Sequence, residues 1–152
     1  MNTVFMTIGF SGSGKSTYAK EYVKYHPDTR IVSPDAFRTM FNGEYKYLPE
    51  MDDVITQSTF DAAENLLQAG YNVIIDCGNL TKADDRRGKW KNLHADKFVA
   101  FLMPTHKPVD WYVKRRKRKP HRKMDLVTLV ETEMRAFEPP TLDEFDEIVR
   151  IK

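Results

Sequence analysis

The strongest constraint on this chain is the segment GFSGSGKS at residues 9–16. It fits the spacing Gly-x-x-x-x-Gly-Lys-Ser, which is the Walker A or P-loop pattern. An apolar run at residues 3–8 precedes the segment, and a run with helical character follows it at residues 16–23. A strand, a glycine-rich loop and a helix in this order are the context that the motif requires. The sequence therefore predicts a phosphate-binding loop near the start of the chain.

The residue types of this loop match the chemistry of phosphate binding. Glycines let the backbone curl so that successive N–H groups point at phosphate oxygens, and the following helix adds its positive dipole end. Lys15 supplies a charge for the β- and γ-phosphates of a nucleotide, and Ser16 offers a hydroxyl to Mg²⁺. The predicted nucleotide-binding residues are Ser11, Gly12, Ser13, Gly14, Lys15, Ser16 and Thr17.

Length and composition limit the class of protein. A chain of 152 residues predicts one domain, which can bury about 70% of its unfolded surface without a disulfide or a structural metal. Cys77 is the single cysteine, so an intramolecular disulfide and a cysteine-based zinc cluster are excluded, and a cytoplasmic setting is expected. No apolar run approaches the length of a membrane span, and the start of the chain lacks a signal-peptide pattern. We therefore expect no membrane partner.

Positive charge is concentrated in one segment. The whole chain has 24 Lys and Arg against 22 Asp and Glu, but residues 114–123 contain eight of the basic side chains. Three interpretations are open: a lid whose arginine closes on the transferring phosphoryl group, a track for nucleic-acid phosphates, or a solvated charged face. Because six consecutive cations at residues 114–119 repel one another, a functional role is favoured over the solvated face.

Strand-like and helix-like segments alternate along the chain. Apolar strand patterns occur at residues 3–8, 30–32, 72–75, 97–103 and 145–151. Helical patterns occur between them at residues 16–25, 33–38, 52–68, 83–95, 108–113 and 125–137. This alternation predicts an α/β fold with a parallel sheet flanked by helices. Ligands of such sheets bind at the carboxyl ends of the strands, so the P-loop, Asp35 and Asp76 are expected to converge on one cleft.

Three side chains outside the loop are candidates for chemistry. Asp76 ends an apolar strand, which is the Walker B arrangement for Mg²⁺ and equally a common place for a turn residue. Asp35 and Arg38 lie one helical turn apart and share a face. One interpretation makes Asp35 the base for an attacking hydroxyl and Arg38 the ligand of a substrate phosphate. Spacing alone favours the other, in which Asp35 is an acid at a helix start that pairs with an exposed Arg38.

The sequence resembles the P-loop kinase domain of phage-type polynucleotide 5′-kinases. The similarity is densest in the loop at residues 7–17 and in Asp35-Ala36-Phe37-Arg38, which fits the D-x-x-R element of that family. It extends over the whole chain and is most specific before residue 80. Weaker similarity continues at residues 44–47, 60–63, 79–80, 86–87 and 113–115. Gly78 departs from the pattern, because many relatives have Thr there.

The resemblance implies an ATP-dependent kinase that phosphorylates DNA or RNA 5′-OH ends. It implies that Lys15 and Ser16 bind ATP and Mg²⁺. It further implies that Asp35 is the general base, that Arg38 contacts the acceptor phosphate, and that a lid arginine covers the ATP phosphates. The candidates for that lid residue are Arg115, Arg116 and Arg118.

Two other functions fit the same motifs. The wider superfamily includes kinases of small molecules such as nucleosides, sugars and antibiotics, and a nucleotide-dependent binding module with little turnover would also carry a P-loop. The predicted kinase domain covers residues 1–152 and contains a lid segment at about residues 114–123, and the chain ends after this domain. The resemblance therefore predicts that the phosphatase domain of the best-known bifunctional members is absent.

Overall fold

The fold is a parallel five-stranded sheet with helices on its faces, described by a computed structural model for residues 2–116 and 125–152. The strands are β1 (Thr3–Ile8), β2 (Thr29–Val32), β3 (Asn72–Ile75), β4 (Lys97–Leu102) and β5 (Glu147–Arg150). Every paired strand is parallel to its neighbour, and the order across the sheet is β2-β3-β1-β4-β5. The predicted α/β class is confirmed.

Within the described parts of the chain, five α-helices connect or follow the strands. They are α1 (Lys15–Tyr25), α2 (Pro34–Asn42), α3 (Asp52–Gln68), α4 (Val109–Arg115) and α5 (Leu126–Ala136), with short 3-10 helices at Pro49–Met51 and Arg87–Asn92. Among the described residues, none of the helices has the length and apolar character needed to cross a membrane.

The alternation of side chains along β1 divides the core between the two faces of the sheet. Val4 and Met6 point to one face, where they join a cluster that includes Leu67 of α3. Phe5 points to the opposite face and packs in a cluster with Ala19 of α1. Because both faces are covered, β1 is buried from Val4 to Ile8 and leads directly into the P-loop at the carboxyl edge of the sheet.

Local sequence signals explain how α2 begins at that same edge. The Ser33 hydroxyl caps the helix by accepting a hydrogen bond from the Ala36 N–H at 3.3 Å, and Pro34 occupies the first helical position. This start places Asp35 in the first turn, directly after β2. The helix start predicted from the sequence is therefore confirmed.

The helix predicted over residues 83–95 is wrong, because the chain there forms turns followed by the 3-10 helix Arg87–Asn92. The cause is Arg87, whose side chain is only 1% exposed. It binds both carboxylate oxygens of Glu144 at 2.8 and 3.0 Å and donates to the carbonyl oxygens of Asn79 and Glu138 at 3.0 and 2.7 Å. Close packing adds to this, since a Cβ on Gly88 would lie 2.8 Å from the carbonyl oxygen of Ala83.

Replacing Arg87 by Met is expected to lower the free energy of unfolding by about 3 kcal/mol or more, because it removes the buried cation that binds both oxygens of Glu144 and leaves that carboxylate with Thr141 and the more distant Lys82. Burial raises the pKa of Glu144, but its hydrogen bonds with Arg87 and the charge of Arg87 outweigh this and hold the pKa below the ordinary value. Chemical denaturation measures the change. Arg86→Met is the control, since Arg86 is an exposed neighbour; equal losses in both variants would contradict this role of Arg87.

Candidate functional site

The P-loop backbone turns through two glycines in the left-handed region. Gly12 has φ +81° and Gly14 has φ +95°. A Cβ on Gly12 would also collide with the carbonyl oxygen of Tyr112 on α4, so only glycine fits there. The Ser13 N–H donates to the carbonyl oxygen of Phe10 at 3.0 Å, which closes the turn before α1 begins.

Ser16 and Asp76 meet at the base of the loop, as predicted. The Ser16 hydroxyl donates to Asp76 Oδ2 at 2.8 Å, and the Thr7 hydroxyl donates to Asp76 Oδ1 at 3.3 Å. They meet because β1 and β3 are neighbours in the sheet, so the residues that follow the two strands lie side by side. The described part of the chain contains no group of three or more His, Cys, Asp or Glu residues suited to a metal. Mg²⁺ commonly needs only one or two protein oxygens besides phosphates and water, so the pair fits that ion.

The Lys15 ammonium lies inside the loop. Its Nζ donates to the carbonyl oxygen of Phe10 at 3.0 Å. Burial lowers the pKa of Lys15, and the nearby carboxylates of Glu133, Asp76 and Asp35 oppose that shift. The side chain therefore places a poorly hydrated positive charge where the P-loop motif requires one.

Asp35 and Arg38 also reach the cleft. Arg38 Nη1 lies 2.9 Å from Asp35 Oδ1, and Arg38 Nη2 lies 3.5 Å from Asp52 Oδ1. The guanidinium carbon of Arg38 lies 5.3 Å from the ring centre of Tyr47, whose hydroxyl donates to Asp52 Oδ2 at 3.1 Å. Asp35 and Arg38 thus share one face of α2, and the Arg38 guanidinium contacts two carboxylates, those of Asp35 and Asp52.

One open cleft of about 720 Å³ unites these side chains. It is lined by residues of the P-loop and by Asp35, Arg38 and Asp76, together with Arg115, Arg116 and residues of α5. The predicted convergence of strand ends on one cleft is therefore confirmed. Thr17 also lines this cleft, whereas Ser13 is a buried residue of the loop.

The basic run is described only in part. Arg115 Nε donates to the carbonyl oxygen of Gly12 at 3.3 Å, and its guanidinium lies 4.2 Å from the ring centre of Trp111. The contact follows from α4, which packs against the loop through Tyr112 and Phe10, whose ring centres are 5.3 Å apart. Arg118 and positions 117–123 lie outside the described residues.

Two residues beside Asp76 have structural surroundings. The Asn79 amide donates to the carbonyl oxygen of Thr7 at 2.8 Å and accepts from Trp90 Nε1 at 3.0 Å, so it ties the loop after β3 to the sheet. Burial, followed by the charges of Asp76 and Asp35, raises the pKa of the Cys77 thiol to about 12. Cys77 lines the cleft as a neutral thiol rather than as a nucleophile.

Sequence reasoning missed Glu133 and Asp52. Glu133 of α5 accepts hydrogen bonds from the Ser11 N–H at 2.9 Å and from the Ser11 hydroxyl at 3.0 Å. Asp52 starts α3 and contacts Arg38. Each is a common helix-surface residue type, and the contact of Glu133 joins positions 122 apart in sequence. No spacing rule connects positions so distant.

The chain is similar in sequence and fold to several known proteins. Residues 4–140 match the family described as an AAA domain. The 2′,3′-cyclic-nucleotide 3′-phosphodiesterase of Rattus norvegicus is 46% identical over 55 residues, covering 32% of this chain and 13% of the rat protein. A chain of the Pnkp1/Rnl/Hen1 RNA repair complex aligns with a TM-score of 0.71 and 22% identity, over 89% of this chain and 43% of that one.

A gluconokinase from Sinorhizobium meliloti 1021 aligns with a TM-score of 0.59 and 18% identity, over 98% of this chain and 81% of that one. This chain thus spans a small part of the rat protein and less than half of the repair-complex chain. At these identities the two solved structures show the fold, while the family match covers most of the chain. The chain belongs to the AAA domain family, and its fold is that of P-loop kinases.

Proposed function

We propose that this protein is a 5′-hydroxyl polynucleotide kinase, which transfers the γ-phosphoryl group of ATP to a DNA or RNA 5′-OH end. The observation that carries the proposal is the Asp35–Arg38 pair, which lies in the same cleft as the P-loop. Such a pair suits an acceptor that has a hydroxyl to deprotonate and a phosphate nearby. The similarity to a chain of an RNA repair complex supports a nucleic-acid acceptor.

In the proposed reaction, the acceptor 5′-oxygen bonds to the γ-phosphorus while the bond from that phosphorus to the β–γ bridging oxygen breaks. Asp35 accepts the hydroxyl proton, and ADP leaves with the bridging oxygen. Lys15 and the loop N–H groups would hold the nucleotide phosphates. Arg115, which donates to the Gly12 carbonyl oxygen of the loop at 3.3 Å, would act as the lid cation that stabilises charge on the transferring group. Ser16 and Asp76 would hold Mg²⁺, which supplies neutralisation of phosphate charge.

The Asp35–Arg38 ion pair couples binding of the acceptor phosphate to the state of the proposed base, Asp35. Arg38 Nη1 donates to Asp35 Oδ1 at 2.9 Å, so one oxygen of the proposed base is engaged by the cation. A phosphate on the acceptor competes for the same guanidinium, because an arginine–phosphate contact is charge-assisted and often bidentate. Binding of the acceptor phosphate by Arg38 would therefore free Asp35 to act as the base.

The decisive experiment is transfer of labelled γ-phosphate to 5′-OH RNA, 5′-OH DNA, nucleosides and small sugars. Labelling of oligonucleotides is the result that the proposal expects. Labelling of nucleosides or sugars alone would identify a small-molecule kinase. Tight ATP binding with no labelled product would instead identify a nucleotide-dependent binding module.

Acceptor choice should depend on Arg38. A nucleoside 3′-phosphate is expected to exceed the bare nucleoside by roughly 10- to 100-fold in kcat/KM, the range of one charge-assisted hydrogen-bonding contact. Arg38→Ala should remove most of that preference, while Arg38→Lys should keep part of it by retaining the charge. Steady-state kinetics with both acceptors measures the ratio. An equal ratio in wild type and Arg38→Ala would contradict the assignment of Arg38 to the acceptor phosphate.

A further inference from the structure

A carboxylate from α5 binds the P-loop itself. Glu133 accepts from the backbone N–H of Ser11 at 2.9 Å with one oxygen and from the Ser11 hydroxyl at 3.0 Å with the other. Ser11 is the second variable residue of the motif, within the curve of the loop. The side chain therefore offers an anion to donors of the kind that a P-loop uses for phosphate oxygens.

The position of Glu133 along the loop follows from Lys15. Lys15 Nζ donates to the carbonyl oxygen of Phe10 at 3.0 Å, and the N–H of the same peptide group, that of Ser11, donates to Glu133 at 2.9 Å. In a P-loop the lysine reaches the β- and γ-phosphates, so donors on the peptide group that the lysine binds face the part of the nucleotide that carries the γ-phosphate. Glu133 consequently lies toward the end of the loop that receives the terminal phosphate of a triphosphate.

We propose that Glu133 determines how strongly the P-loop distinguishes ATP from ADP. This inference rests on the proposed use of ATP. The Glu133 carboxylate and the γ-phosphate compete for the Ser11 donors, and two anions cannot share them without strong repulsion. ATP must therefore displace Glu133, whereas ADP has no γ-phosphate to force it away. Glu133 weakens ATP binding and leaves ADP binding nearly unchanged.

The competition has a place in the reaction cycle. Transfer removes the γ-phosphoryl group from the nucleotide, and the Ser11 donors become available to Glu133 again. Return of the carboxylate to Ser11 would favour the ADP-bound state of the protein over the ATP-bound state, and the overall equilibrium of the reaction would stay the same. Because Glu133 belongs to α5, its displacement from Ser11 also breaks this contact between α5 and the P-loop.

Equilibrium binding tests the proposal without any acceptor. The measured quantities are the dissociation constants of Mg²⁺-ADP and of a Mg²⁺-bound non-hydrolysable ATP analogue. The proteins are wild type, Glu133→Ala, Glu133→Gln and the control Glu131→Gln, which changes an exposed carboxylate on the same helix. Loss of one charge-assisted contact predicts that Glu133→Ala binds the ATP analogue roughly tenfold more tightly than wild type does. The dissociation constant of ADP should stay within about twofold of the wild-type value. Glu133→Gln should move in the same direction by less, because it keeps one oxygen acceptor.

A second readout reports the contact directly. Amide hydrogen exchange of the peptide containing Ser11 should become faster in Glu133→Ala, because its N–H loses its acceptor. Weaker analogue binding by both Glu133 variants would overturn the proposal and make Glu133 a nucleotide or metal ligand. Equal shifts for ADP and the analogue would also overturn it. If wild type binds both nucleotides but phosphorylates no polynucleotide, the proposed function fails while the role of Glu133 is still decided by the binding data.

Discussion

Replacing Lys15 by Met is expected to lower the rate of phosphoryl transfer by a factor on the order of 10²–10³, because the change removes a preorganised charge at the transferring group. Met keeps most of the length and apolar surface of the lysine stem, so the loop retains its packing. Gly12 and Gly14, which define the loop backbone, are untouched. Single-turnover transfer measures the loss, and Lys24→Met, an exposed change on α1, is the control.

The same variant makes a prediction about stability. Burial lowers the pKa of Lys15, so the unfolded chain binds the lysine proton more tightly than the folded protein does. At neutral pH, below the unfolded-state value, this difference penalises folding, and the penalty disappears as the pH rises above that value. Lys15→Met should therefore melt no lower than wild type at pH 7. Near-normal turnover by the folded variant would contradict the assignment of Lys15, and a large fall in Tm would show a structural role instead.

The fold was predictable because its signals are local. The continuous apolar run of β1, the glycines of the loop and the cap at Ser33 each determine structure within a few residues. Once the strands are parallel, their carboxyl ends share one edge, and the meeting of Asp76 with Ser16 follows from topology. The convergence of the two residues on one edge was therefore predictable, whereas their 2.8 Å contact depends on the pairing of β1 with β3.

The features that sequence reasoning missed depend on distant partners. Residues 83–95 have helical periodicity, but the contacts of Arg87 with Glu144, 57 positions away, hold the chain in turns and a 3-10 helix. The contact of Glu133 with Ser11 joins α5 to the P-loop in the same way. A charged residue in a helical pattern is normally exposed, and only the packed structure reveals where its carboxylate lies.

The position of α4 favours one of the candidates for the lid arginine. Sequence alone treated Arg115, Arg116 and Arg118 as equivalent, since charge runs carry no directional information. In the structure Tyr112 anchors α4 against the loop, and this brings Arg115 to the carbonyl oxygen of Gly12. Trp111 stacks beneath the guanidinium and limits its freedom. Arg115 is therefore our proposed lid residue among the two that the structure describes.

Asp35→Asn is expected to lower phosphoryl transfer by about 10²–10⁴, the usual cost of removing a general base. The substitution keeps the size of the side chain and one oxygen that can accept from Arg38, now at 2.9 Å from Asp35. It removes the capacity to take the proton from the acceptor hydroxyl. ATP affinity should stay near the wild-type value, because the contacts of Lys15 and Ser16 do not involve Asp35.

Comparing Asp35→Asn with Asp52→Asn tests whether Asp35 acts as the base or only as a partner of Arg38. Asp52 contacts the same guanidinium at 3.5 Å, so its loss disturbs the position of Arg38 without removing the proposed base. We expect Asp52→Asn to raise KM for a phosphate-bearing acceptor with little change in kcat, and Asp35→Asn to lower kcat. Single-turnover rates and equilibrium ATP binding for both variants distinguish the two effects. A collapse of ATP affinity in Asp35→Asn would make Asp35 a nucleotide-binding residue, and equal losses of kcat in both variants would mean that both act only through Arg38.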